Sequence, residues 1–300
     1  MATQQTARTE FLTVNDINYA YRLIGPEATS GPAKSPLLLL NHIRSTIDLW
    51  DPAVVNPLAR TRQLVLYDYA GTGHSSGKVA DSIKEMTENL IGFLKSLFPI
   101  LGVSTVDVLG FSIGGYVAQQ LVIDCPQYVG RLVLSGTQPS FGPDLVSQAV
   151  EFPQIASTPV PTPEILYSCF NVQTPSSQAA ASAWVQRIYE RSTNAPEGET
   201  FANFLSGELH VENLMKAFLG WNGDASPYTL LPTIKNEVLV TTGRNDAMCP
   251  TSNSYILSQR LTNAYFLVYP DSGHGHLFQF ANLYTKQVTE FLDGGWNINF

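Results

Sequence analysis

The sequence predicts a doubly wound α/β protein: a mostly parallel sheet of about eight strands carrying one inserted helical segment. Three observations lead there. Short unbroken apolar runs alternate with amphipathic helical patterns. One long interval, 137–236, breaks that rhythm and holds no convincing buried strand. A serine stands between one apolar run and the helix after it, with glycines on both sides.

Residues 10–25, EFLTVNDINYAYRLIG, alternate apolar and polar positions around Asn15-Asp16, the pattern of a hairpin with one exposed face. The texture then changes. PLLLL (36–40), QLVLYDY (63–69), TVDVLGF (105–111), RLVLSG (131–136), EVLVTTG (237–243) and AYFLVYP (264–270) are continuous apolar runs. Such runs suit parallel strands covered on both faces. Helical periodicity appears over 82–98, 113–125, 252–261 and 277–292. Strand–helix alternation of this kind implies right-handed crossovers. A structureless loop across 137–236 would be improbable, and helical patterns such as PEILYSCF and SAWVQRIYERS occur within it. The expected organisation is a core of residues 1–137 and 231–300 with a helical lid at 138–230.

The glycine-flanked serine is Ser112. Gly110-Phe111-Ser112-Ile113-Gly114 fits the G-x-S-x-G nucleophile elbow in strand–turn–helix context. The bend lifts the serine oxygen into the cleft beyond the strand ends and turns the Ile113 amide toward an oxyanion. A neutral serine needs a histidine to take its proton and a carboxylate to orient the ring. The run at 237–243 ends in GRND and offers Asp246. The run at 131–136 leads to no carboxylate before Asp144, so Asp246 is the stronger candidate. The run at 264–270 leads into DSGHGH. There His274 lies between glycines, whereas His276 directly precedes the last helical pattern and is expected to border the pocket. The chain order serine, aspartate, histidine is the order this architecture requires.

With these residues in place the chain resembles the α/β-hydrolase fold superfamily over nearly all its length. It is most similar to the esterase and cofactor-free haloperoxidase branch, on the GFSIGG elbow. LYDYAGTGHSSG (66–77) is similar to the family's D-x-x-G-x-G-x-S segment, and WDP (50–52) stands where the helix after the third strand begins. The resemblance implies a second oxyanion amide after the third strand. In NHIRST it falls on Arg44, or on Ile43 if the spacing to Trp50 shifts by one residue. Ile43 replaces the family's usual glycine. The Arg44 side chain either reaches the pocket, where it would bind a carboxylate or enolate, or is structurally paired. His42 reads as a structural hydrogen-bonding residue, and His74 and His210 as surface or lid residues. Phe111, Phe170 and Trp184 join Arg44 and His276 as expected pocket residues, and Phe152 and Phe204 add to an aromatic lid.

The expected activity is hydrolysis of an ester, lactone or similar activated acyl group of a small hydrophobic molecule, with no cofactor and no metal. A carbon–carbon bond hydrolase would use the same triad, although such relatives usually carry a polar residue where Phe111 stands. A non-hydrolytic biosynthetic enzyme or a small-molecule receptor could keep the same residues. A net charge of −8 and a pI near 5.1 argue against nucleic acid. Cys125, Cys169 and Cys249 show neither zinc-ligand nor disulfide spacing, which suits a reducing compartment. MATQQTARTE lacks a basic segment leading into an apolar one, and no apolar run approaches a membrane span. A cytoplasmic protein that leaves membranes alone is the expectation; its oligomeric state is left open.

Overall fold

The computed structural model describes residues 1–27, 34–147, 158 and 161–296. Strands β1 (Glu10–Val14) and β2 (Ile17–Ile24) meet at a two-residue turn. There Asn15 and Asp16 take φ of 49° and 62°. Two positive φ values in succession are the turn geometry that matches the twist of paired strands, and Asn and Asp tolerate it best after Gly. Strands β3 (Leu37–Leu40), β4 (Leu64–Tyr67), β5 (Val106–Phe111), β6 (Val129–Ser135), β7 (Val238–Gly243) and β8 (Ala264–Tyr269) follow. Among the described residues they form one sheet in the order β1-β2-β4-β3-β5-β6-β7-β8. β1 and β2 run antiparallel to their neighbours, and β3 to β8 are mutually parallel.

Every residue of β3, β4, β5 and β7 is buried, as unbroken Val and Leu runs require when helices cover both faces. β8 differs. It is one of the two edge strands, and most of it is only half-buried. An apolar run alone does not distinguish an edge from a centre.

Helix α1 (Pro52–Leu58) is capped by Asp51, whose carboxylate accepts the Ala53 amide at 2.8 Å. Helix α2 (Ile83–Leu101) starts on Ser82 and stops on Gly102 at φ 66°. Helix α3 (Ile113–Asp124) follows β5 with Ser112 alone between them. Between β6 and β7 lie α4 (Pro163–Phe170), α5 (Pro175–Ile188), α6 (Arg191–Asn194), α7 (Glu208–Gly223) and α8 (Ser226–Leu230). Thr162 and Thr174 cap α4 and α5, each with proline at the next position. Helix α9 (Thr251–Arg260) joins β7 to β8. The final helical pattern is broken: α10 (His276–Gln279) and α11 (Ala281–Leu292) meet at Phe280. The break lets Phe278 stack on Trp184 while α11 buries Tyr284, Val288 and Phe291. Apolar spacing does not register a one-residue interruption.

The inserted helices are bound to the core by buried charge. The Arg191 and Arg22 guanidiniums lie 2.7 and 2.6 Å from Asp48 Oδ1, and all three side chains are excluded from solvent. Arg191 also donates to the Gln4 and Gln5 carbonyls and to Glu199. Burial alone would raise the Asp48 pKa. The hydrogen bond from His74, the Arg22 charge and the Ala202 amide instead hold it at about 2. His74 is therefore no surface residue: its Nε2 sits 2.7 Å from Asp48. His210 is exposed on α7. Among the described residues no helix is long and apolar enough to cross a membrane.

Candidate active site

β5 delivers the chain to Ser112 at φ 58° and ψ −122°, a conformation that costs a non-glycine residue energy. The positions two residues before and after it have no room to be anything but glycine. A Cβ on Gly110 would stand 2.4 Å from the Gly114 carbonyl oxygen, and one on Gly114 would stand 2.3 Å from that of Leu40. The bend is pinned from several directions. The Ser112 amide donates to Ser135 O at 3.0 Å, and its carbonyl accepts from the Gly115 amide and the Thr137 hydroxyl. Ile113 opens α3, so its amide belongs to the first turn, where no intrahelical acceptor exists.

Asp246 lies three residues past the end of β7. Its Oδ1 accepts the Met248 and Cys249 amides, both at 2.9 Å, which fixes the carboxylate. Its two oxygens lie 2.9 and 3.1 Å from His274 Nδ1. A carboxylate only accepts, so Nδ1 carries the proton and Nε2 of a neutral ring keeps its lone pair. The glycines around His274 serve close approach rather than unusual φ. Residues 272–275 run between the end of β7 and the end of α4. A Cβ on Gly243 would meet the Gly273 carbonyl at 2.1 Å, and the Gly275 amide donates to Phe170 O at 2.6 Å.

Ser112 and His274 open on one shared cavity. His42, Ile43 and Arg44 form one wall. Pro161, Ile165, Leu166, Cys169, Phe170, Phe204 and Met248 supply an apolar remainder. The structure thus brings Ser112, His274, Ile43, Arg44 and Phe170 to the same space, with Asp246 directly behind His274 and Ile113 beside Ser112. The α4 contribution, at 165, 166, 169 and 170, has the spacing of one helical face, a signal the sequence carried. Met248, two residues beyond Asp246, was also within reach of sequence reasoning.

Three expected pocket residues are not on the wall. Phe111 is fully buried among His42, His274, Phe170 and Phe278. Trp184 lies behind Phe170, stacked on Phe278 at 4.9 Å. His276 lies beneath the histidine loop, with Nδ1 donating to His274 O and Nε2 2.9 Å from the Thr241 hydroxyl. Phe111 and His276 belong to segments that touch the site, but their rings turn into the core, and Trp184 belongs to a helix behind it. Phe152 lies outside the described residues.

Arg44 has φ 63° and is held by the inserted chain. Its Nε donates to Leu205 O at 2.8 Å, Nη1 donates to Thr158 O, and its own carbonyl accepts the Leu205 amide. The paired reading of this side chain describes the geometry. Asp68 of the glycine-rich segment is structural as well. Its carboxylate accepts the Ile47 and His74 amides, and a Cβ on Gly73 would stand 2.1 Å from that carboxylate. Burial pushes the Asp68 pKa up to about 7. Among the described residues no cluster of His, Cys, Asp or Glu could hold a metal ion.

Comparison with known proteins agrees with this fold. The family model for the alpha/beta hydrolase fold matches residues 36–281. An alpha/beta hydrolase fold protein from Chitinophaga pinensis superposes with a TM-score of 0.83 at 30% identity, over 97% of this chain and 99% of that one. Proline iminopeptidase PfmaB from Pestalotiopsis fici is 22% identical, over 95% of this chain and 99% of its own. A 2-hydroxy-6-oxononadienedioate/2-hydroxy-6-oxononatrienedioate hydrolase from Cupriavidus pinatubonensis is 27% identical over 79% of each. With the sheet order, the family match and these relatives agreeing, the chain belongs to the α/β-hydrolase fold family.

Proposed function

We propose that the protein is a serine hydrolase that cleaves an ester, lactone or similarly activated acyl group of a small, mainly apolar molecule. One observation carries this reading: the strained Ser112 and the Asp246-bound His274 share a cavity whose wall is mostly apolar. In this mechanism His274 Nε2 takes the Ser112 proton as Oγ attacks the carbonyl. Asp246 fixes the ring and stabilises its cationic form. The Ile113 amide and that of Arg44 or Ile43 receive the oxyanion. His274 then returns the proton to the leaving group, and water releases the acyl-enzyme by the reverse sequence. The inserted segment acts as a lid whose inner face, Leu166 and Phe204 included, selects the substrate. The three cysteines are free, in keeping with a cytoplasmic home.

The relatives suggest two other chemistries. An aminopeptidase would need a carboxylate to hold a cationic amine, and none is among the described residues lining this cavity. Carbon–carbon cleavage, the reading favoured by the curated relative from Cupriavidus, would use the same triad on an anionic keto acid. Arg44, the cation on the wall, already donates to two backbone carbonyls, which favours a neutral substrate. The test is product release from a panel of short aryl esters, beside a keto-dienoate, by the wild type and by Ser112→Ala. The alanine variant should stay folded and lose about a thousandfold or more in kcat/KM. A serine-directed phosphonate should label Ser112. Full ester turnover by Ser112→Ala would overturn the acyl-enzyme mechanism.

A further inference from the structure

The loop that carries His274 rests on a buried chain of side chains that the acyl-transfer steps themselves do not use. His276 Nδ1 lies 3.2 Å from the carbonyl oxygen of His274, and a carbonyl only accepts, so Nδ1 carries the proton. Nε2 of the neutral ring keeps its lone pair, and the Thr241 hydroxyl 2.9 Å away donates to it. A hydroxyl has one proton, so Thr241 is the acceptor toward the Ser135 hydroxyl, also at 2.9 Å. The opposite order would set two bare lone pairs face to face at His276. The Tyr284 hydroxyl, 2.6 Å from that of Ser135, completes the chain. All four side chains are excluded from solvent. Burial disfavours the His276 cation and brings its pKa to about 3, which keeps the ring in the accepting form.

Both ends of the chain meet the reacting residues through the main chain. At one end the peptide joining His274 to Gly275 is held on both sides, its carbonyl by His276 and its amide by Phe170 O at 2.6 Å. At the other, the Ser135 carbonyl accepts the Ser112 amide at 3.0 Å. The next residue, Gly136, lies against the His274 ring: a Cβ there would stand 3.3 Å from Cε1 and from Nδ1. We infer that His276 is a positioning residue: with Thr241, Ser135 and Tyr284 it ties the His274 peptide to the strand end that fixes Ser112, and so sets how the base meets the nucleophile. None of the four is among the described residues lining the cavity. Loss of the chain therefore acts on kcat and spares KM, because it misplaces the base without removing a substrate contact. This inference rests on the hydrolase reading but concerns geometry within the triad, so spectroscopy and turnover test the two separately.

Thr241→Val keeps the side-chain shape, removes the hydroxyl and leaves His276 Nε2 without its donor. With p-nitrophenyl butanoate as substrate, kcat should fall about 10- to 100-fold while KM stays within about twofold. Thr241→Ser restores the hydroxyl and should recover most of kcat. Thr87→Val deletes another buried threonine hydroxyl, one bonded to Ile83 O within α2, and should leave kcat unchanged. Wild-type kcat in Thr241→Val would overturn the proposal, as would a loss that Thr241→Ser or Thr87→Val shares. The second readout is heteronuclear NMR of histidine-labelled protein. His274 and His276 should both appear as Nδ1–H tautomers in the wild type. Thr241→Val should shift the His274 ring signals, although the hydroxyl bonds to His276 and Ser135 and not to His274. His276 in the Nε2–H form, or His274 signals that do not move, would overturn the proposal. Should Thr241→Val fail to fold, Tyr284→Phe breaks the same chain at its far end and is read in the same two ways. Absence of ester turnover in the wild type would count against the hydrolase reading alone and leave the NMR test standing.

Discussion

Two histidines one residue apart in SGHGH face opposite directions, and their substitutions should differ accordingly. His274 is bound to Asp246 and reaches the cavity, so His274→Ala should lower turnover about as far as Ser112→Ala, with the double variant losing little more. His276 is sealed beneath the loop, and burial draws its pKa from 6.5 down to about 3. A depressed histidine pKa means that the unfolded chain binds the proton more readily than the folded one. This group therefore leaves stability untouched above pH 6.5 and erodes it as the pH falls toward 3. His276→Gln removes that titration. Its stability deficit relative to wild type should shrink by about 1.4 kcal/mol for each pH unit below 6.5, read from urea unfolding at pH 8, 6 and 4.5. A gap that stays constant would show that His276 is not held neutral. The sequence located both rings on the right loop because glycines and strand ends leave a local signature. It did not show which way His276, Phe111 or Trp184 turns, because that depends on partners such as Thr241 and Phe278 that are remote in the chain.

At the level of elements, sheet and helices were legible because each obeys a local rule. Val and Leu runs mark strands covered on both faces, and the apolar spacing over 82–98 marks α2, which continues to Leu101. The attachment of the inserted helices had no such signature. Arg22, Asp48 and Arg191 come from three distant segments, and nothing local distinguishes a buried arginine from an exposed one. Their energetics are nevertheless specific. Arg191→Met leaves Asp48 with one guanidinium in a solvent-free site, and breaking a buried pair from one side typically costs about 3–5 kcal/mol. Arg191→Met should therefore lower the urea midpoint and open residues 191–205 to limited proteolysis. Arg131→Met, which breaks a partly exposed pair with Glu237, should do neither. Equal behaviour of the two variants would mean that the buried cluster does not hold the insertion.

Across the whole molecule, the inserted segment is joined to the core at many places, three of which bear on its motion. Arg191 binds Asp48, Arg44 holds Leu205 and Thr158, and the Gly275 amide holds Phe170. Two of these joints belong to the loops carrying the candidate oxyanion amides and His274. A swinging cover would have to break them in every cycle and would disturb the reacting groups as it moved. The insertion thus behaves as masonry rather than as a door, and traffic through the doorway sets no speed limit. Turnover should then be insensitive to solvent friction: kcat for a fast aryl ester should stay level as sucrose raises the viscosity severalfold, whereas a gated enzyme would slow in proportion.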